Sequence, residues 1–95
     1  MNANLYLRVS LKKSDNLSEF FKSVNFNVLP RIGEEIVEIS ENNMQYYKVE
    51  KIVHNLERHT SDFVNIFLKD ICVDTLDEKE KIESILNGYD WTNEK

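Results

Sequence analysis

The stretch Asn16-Leu17-Ser18-Glu19-Phe20-Phe21-Lys22-Ser23-Val24 decides how the chain is built, because it follows the clearest strand of the sequence and sets what covers it. Asn16 with Glu19 three residues on has the spacing of a helix N-cap and its capping partner. Leu17, Phe20, Phe21 and Val24 then fall at i, i+3, i+4 and i+7. The spacing predicts a short amphipathic helix over 16–24.

Working outward toward the N-terminus, Leu5-Tyr6-Leu7-Arg8-Val9-Ser10-Leu11-Lys12 alternates strictly, with Leu5, Leu7, Val9 and Leu11 on one face and Tyr6, Arg8, Ser10 and Lys12 on the other. That is a half-buried strand. On the other side, Leu29-Pro30-Arg31-Ile32-Gly33 fixes φ at the proline and permits a positive φ at the glycine, so the chain turns before a strand at 36–39. Glu41-Asn42-Asn43 is a turn signal. Met44 to Leu56 is a long extended run whose halves disagree in phase: Tyr47, Val49 and Val53 share one face, Ile52, His54 and Leu56 the other, which predicts a bulge or strong bend.

After a polar connection at 57–61, Asp62 to Ile71 resumes as a strand, with Val64, Ile66 and Leu68 facing one way and Phe63, Asn65 and Phe67 the other. It is expected to pair with the preceding strand as an antiparallel hairpin. Thr75-Leu76-Asp77-Glu78 is a second capping box, opening a helix with Ile82, Ile85 and Leu86 inward and Gly88 at its C-terminal cap. Tyr89 and Trp91 fold back onto the body, and 92–95 fray.

These segments give the order β-α-β-β-β-α. The expected fold is an α+β single domain over 1–95: a four-stranded, mostly antiparallel curled sheet or small SH3-like barrel with two short helices. The phrase Leu29-Pro30-Arg31-Ile32-Gly33-Glu34-Glu35-Ile36 resembles the way small SH3-like barrels enter a strand.

Composition bounds the function. With 41% hydrophobic and 11% aromatic residues, two Gly and one Pro, the chain is a packed globule. The lone Cys72 cannot close an internal disulfide, the N-terminus lacks the apolar run of a signal peptide, and no stretch approaches the ~20 apolar residues of a spanning helix. A cytoplasmic protein without membrane insertion is expected. Eleven Asn, nine Lys and eight Ile against one Ala suggest AT-rich codons, as in a low-GC bacterium or its phage.

The net charge of -5 is uneven: +3 over residues 1–31, -3 over 32–69 and -5 over 70–95. With a pI near 5.0 the chain lacks a footprint for phosphates, which argues against general nucleic-acid binding and for a partner protein with a basic surface.

No nucleophile elbow, P-loop or zinc-binding pair occurs, and two glycines cannot build a phosphate-cradling loop. His54, His59, Cys72, Asp62 and Asp70 lack metal-ligand spacing, and the acidic neighbours of Cys72 oppose a thiolate. Neither a catalytic set, a metal nor a cofactor is expected.

Two surfaces are candidates. Phe63 and Phe67, with Asp74, Asp77, Glu78, Glu80 and Glu83, form a candidate interface for a partner protein or a second copy in a homodimer. The expected function is a non-catalytic protein-binding module, of the kind a phage or mobile element uses to inhibit a host protein. The runner-up is an oligomer that sequesters a small anionic metabolite or nucleotide through His54, Arg58, His59, Tyr46 and Arg31.

Overall fold

The computed structural model describes residues 2–39, 43–54 and 64–94. Ten residues, Asn2–Leu11, form β1, the axis of the fold, and its alternation buries Ala3, Leu5, Leu7 and Val9 on one face. Lys13, at φ 62, turns the chain, and Leu11 donates its N–H to the Asn16 carbonyl at 3.0 Å. The chain then returns as β2, Leu17–Asn25, antiparallel to β1 from Asn2 opposite Asn25 to Ser10 opposite Leu17.

This corrects the helix expected over 16–24. In the strand, Ser18, Phe20, Lys22 and Val24 point inward and Leu17, Glu19 and Ser23 outward. Two of the four inward residues are polar, which hid the period of two and left the apolar side chains at helical spacing by coincidence. Each polar one has a partner inside: Ser18 accepts from Lys79 Nζ at 2.7 Å, and Lys22 pairs with Glu38 at 2.5 Å. Tertiary partners overrode the local pattern.

The turn at 30–33 forms as expected. Gly33 takes φ 90 and donates to the Val49 carbonyl, while Val49 donates to the carbonyl of Glu34. Next, β3 (Glu35–Ile39) pairs antiparallel with β4 (Met44–His54), which pairs antiparallel with β5 (Val64–Leu68). The phase change in β4 is a register shift between Val49 and Lys51. It turns Ile52 toward the interior with Tyr47 and Val49 and leaves Val53 outside.

β5 lies parallel to β1, and after a break at Lys69–Asp70 the short β6, Ile71–Val73, continues along the same edge of β1. The sheet order is β3-β4-β5-β1-β2-β7, with β6 beside β1. The described residues thus form a seven-stranded curled half-barrel with one helix, order β-β-β-β-β-β-α-β. The expected four-stranded sheet or SH3-like barrel with two helices is corrected accordingly.

The helix α1, Leu76–Gly88, starts where the capping box predicts: Thr75 Oγ1 accepts from the Glu78 N–H and Glu78 Oε1 accepts from the Thr75 N–H, both at 3.2 Å. Its end differs from expectation. Gly88 stays helical, Tyr89 is the cap, and Asp90 takes φ 67. Asp90 N–H bonds to the Asn87 carbonyl and Trp91 N–H to the Leu86 carbonyl, the two bonds of a Schellman motif. The motif aims Trp91 inward against Leu86, and both are buried. Residues expected to fray, Thr92–Glu94, instead form β7, antiparallel to β2.

The curled sheet is closed by side chains where β2 and β3 face each other. Lys22 Nζ lies 2.5 Å from Glu38 Oε2 and donates to the Tyr89 carbonyl at the same distance. Glu38 Oε1 accepts from the Tyr47 hydroxyl at 2.7 Å and from Trp91 Nε1 at 2.9 Å. Removing one member leaves the other's charge without its partner at a mostly buried position. Lys22→Ala or Glu38→Ala is therefore expected to cost about 3–5 kcal/mol of unfolding free energy. The pair Lys22→Met with Glu38→Gln should cost clearly less than the two alanine losses added together, as urea unfolding will read.

The strand assignment of β2 has its own test. Phe20→Ala is expected to cost about 3–5 kcal/mol and Leu17→Ala under about 0.5 kcal/mol. A helix would have put both side chains on one buried stripe and made both losses large.

Candidate functional site on the convex face

Two groups of side chains look chemically capable, one inside the half-barrel and one on its outer face. The inner group is the Lys22, Glu38, Tyr47 and Trp91 network. Both oxygens of Glu38 are already held, by one ammonium and two neutral donors. The Tyr47 hydroxyl is pushed far above the usual tyrosine range, by burial first and then by its hydrogen bond to Glu38 and that carboxylate's charge. A proton that Tyr47 keeps and donates to a carboxylate whose oxygens both have partners is suited to holding strands together and poorly suited to transfer.

The outer group is built by alternation. Tyr6 and Arg8 on β1, Glu19 and Phe21 on β2 and Phe67 on β5 occupy the positions opposite the buried ones. The register then lines them up: Tyr6 stands across from Phe21 on one side and Phe67 on the other, and Phe67 across from Lys51 of β4. The Tyr6 and Phe67 rings stack at 5.0 Å and 17°, and Tyr6 meets Phe21 at 5.4 Å and 56°. Lys51 Nζ sits 5.8 Å above the Phe67 ring, a cation–π arrangement.

The neighbouring row is charged. Arg8 lies across from Glu19, and its Nε bonds Asp70 Oδ1 at 3.0 Å, because the break between β5 and β6 turns Asp70 outward. The bulge of β4 presents Glu50 beside them. Together Tyr6, Arg8, Glu19, Glu50, Phe67 and Asp70 line an open cleft of about 350 Å³. Among the described residues, Glu19 and Glu50 are exposed and enter no ion pair.

The sequence-predicted positions fare unevenly. Phe67 is on the open face at 36% exposure, whereas Phe63, Arg58 and His59 lie outside the described residues. His54 ends β4, exposed, and Tyr46 is exposed on the same strand eight residues earlier. About 26 Å of strand separates them, so they do not share one pocket. Arg31 is exposed in the turn before β3, its guanidinium 3.8 Å from Glu34.

Of the acidic candidates, Asp77 and Glu80 are exposed on α1, Asp74 stands 3.7 Å from Lys12, and Glu78 serves the helix cap. Glu83 turns inward to Lys79, which is only 5% exposed. Cys72 is exposed, and among the described residues no three His, Cys, Asp or Glu side chains gather to hold a metal ion. No helix there is long and apolar enough to cross a membrane.

Tyr6, Arg8, Glu19, Phe21, Glu50 and Lys51 were not singled out from the sequence. For Tyr6 and Arg8 the signal was present in the alternation of β1; for Phe21 it was lost with the helix reading. Compared with known protein families, with curated proteins and with solved structures, the chain matches none.

The two shifted groups predict a pH profile. Burial works to raise the Glu83 pKa, but hydrogen bonding from Lys79 and Ser18 and the Lys79 charge outweigh it, so the value falls below 4.5. Stability from Glu83 is present above about pH 4.5 and lost as pH falls through the lowered value. Tyr47 has the opposite sign: its contribution is full below the unfolded tyrosine value near about pH 10 and lost above it. Thermal melts across pH should show a plateau between these limits, with Glu83→Gln flattening the acid limb and Tyr47→Phe the alkaline one.

Proposed function

We propose that the chain is a non-catalytic protein-binding module that docks a basic segment of a partner protein on its convex face. The observation that carries the reading is Lys51 over the Phe67 ring. It is an internal example of the contact a partner's lysine or arginine would make with the aromatic row of this face. Glu19 and Glu50 beside the rings supply carboxylates for the same cation, and Arg8 is neutralised by Asp70.

The overall charge of -5 supports the reading, since it steers a basic surface toward the molecule. Aromatic rings with a polar rim are also the composition of an interface centre. Docking of this kind acts by occupancy: a basic surface that is covered cannot engage anything else. That is how such a module inhibits.

The test is titration of the isotope-labelled chain with an arginine-rich peptide and with its glutamate counterpart, followed by nuclear magnetic resonance. Saturable shifts at Tyr6, Phe21 and Phe67 are expected for the arginine peptide alone, weakening as salt rises. Phe67→Ser should weaken binding about thirtyfold, the effect of losing one aromatic anchor. Equal shifts with both peptides, or none with either, would sink the proposal.

A further inference from the structure

The β3–β4 hairpin carries a second apolar surface on its outer side. Val37 is 43% exposed, Ile39 66%, Met44 53% and Tyr46 56%. Register makes them a compact block: Val37 stands across from Tyr46 and Ile39 across from Met44, and the Tyr46 hydroxyl lies 2.8 Å from the Met44 sulfur. The next row in the same direction is Glu35 across from Lys48, both exposed. Among the described residues neither enters an ion pair.

We propose that this face is where two copies of the chain pair, face to face, about a two-fold axis that runs along the hairpin between β3 and β4. Such an axis lays β3 of one copy over β4 of the other. Every row is then complementary to itself: Glu35 meets Lys48 of the other copy, Val37 meets Tyr46, and Ile39 meets Met44. Each contact occurs twice, as an isologous interface requires. Sheets packed this way lie ~10 Å apart and rotated by about 30°, a tilt that keeps neighbouring rows in reach.

The rim favours a second copy over a different partner. A purely basic or purely acidic surface would find one charge of each sign beside the apolar block and gain nothing net. A rotated copy finds both satisfied. The apolar block lies apart from the Phe67 ring, because Tyr46 and Lys51, the residue across from Phe67, are five residues apart on β4, about 16 Å along the strand, although the Lys48 rim comes within two residues of Glu50 in the cleft.

The test is the mass of the full chain by sedimentation equilibrium, from low micromolar to millimolar concentration. A concentration-dependent dimer is expected. Glu35→Lys alone and Lys48→Glu alone should each weaken it at least about tenfold, since each sets like charges together at two symmetric contacts. The two changes in one chain should restore it, and urea unfolding of the single variants at low micromolar concentration should match the unaltered chain, which separates the contact between copies from the cross-strand effect of Glu35 opposite Lys48 within one chain. Val37→Asp should leave a folded monomer by circular dichroism, and Phe67→Ser should leave the dimer intact. A monomer at every concentration, a double variant no tighter than the singles, or loss of the dimer with Phe67→Ser would each overturn the proposal.

Discussion

The Glu38 carboxylate, held by Lys22, Tyr47 and Trp91, is the constraint on which the rest of the structure depends. A curled sheet with β3 at one edge and β2 with β7 near the other would open like a cuff if only backbone bonds held it, since among the described residues no ladder joins those edges. The network spans the opening and draws in four parts of the chain: β2, β3, β4 and the segment after α1. Its worth is specificity more than raw stability, because burying a charge pair costs nearly what the pairing returns. A one-residue slip of β3 would turn Glu38 to solvent and leave Lys22 alone inside.

That constraint also explains what could be read in the sequence. β1 was legible because every inward position is apolar, and the bend of β4 because Tyr47 and Val49 lose phase with Ile52. α1 was legible at its start, where Thr75 and Glu78 cap each other from purely local chemistry. β2 was not legible, for Ser18 and Lys22 face inward only because Lys79 and Glu38 await them from distant parts of the chain. The end of α1 escaped for a similar reason: Gly88 looked like the residue for a left-handed cap, yet Asp90 took it, and the register of Trp91 against Leu86 decided the matter.

The charge pattern misled in a related way. Eight acidic side chains over residues 70–95 suggested a continuous acidic surface. Several of them do work within the chain: Asp70 holds Arg8, Asp74 lies near Lys12, Glu78 caps the helix and Glu83 holds Lys79. What remains outward on α1 is sparse, so formal charge over a segment overstates the field its surface presents. Glu19 and Glu50, exposed and in no ion pair among the described residues, lie on strands where the segment totals drew no attention.

The outward apolar residues set stability against recognition. A cross-strand aromatic pair contributes roughly 0.2–1 kcal/mol to a sheet, which suffices to explain half-buried Tyr6 and Phe21 as struts between β1 and β2. The same account weakens at Phe67, whose outer side is open apart from Lys51, and fails at the β3–β4 hairpin. There Ile39 and Met44 are mostly exposed, so they give the isolated chain little burial. The inward face shows that this sequence can place polar groups wherever partners exist; the outward hairpin places apolar ones where the described residues leave them mostly exposed. Hydrophobic side chains in that position fit the pairing proposed above, in which a second copy covers them.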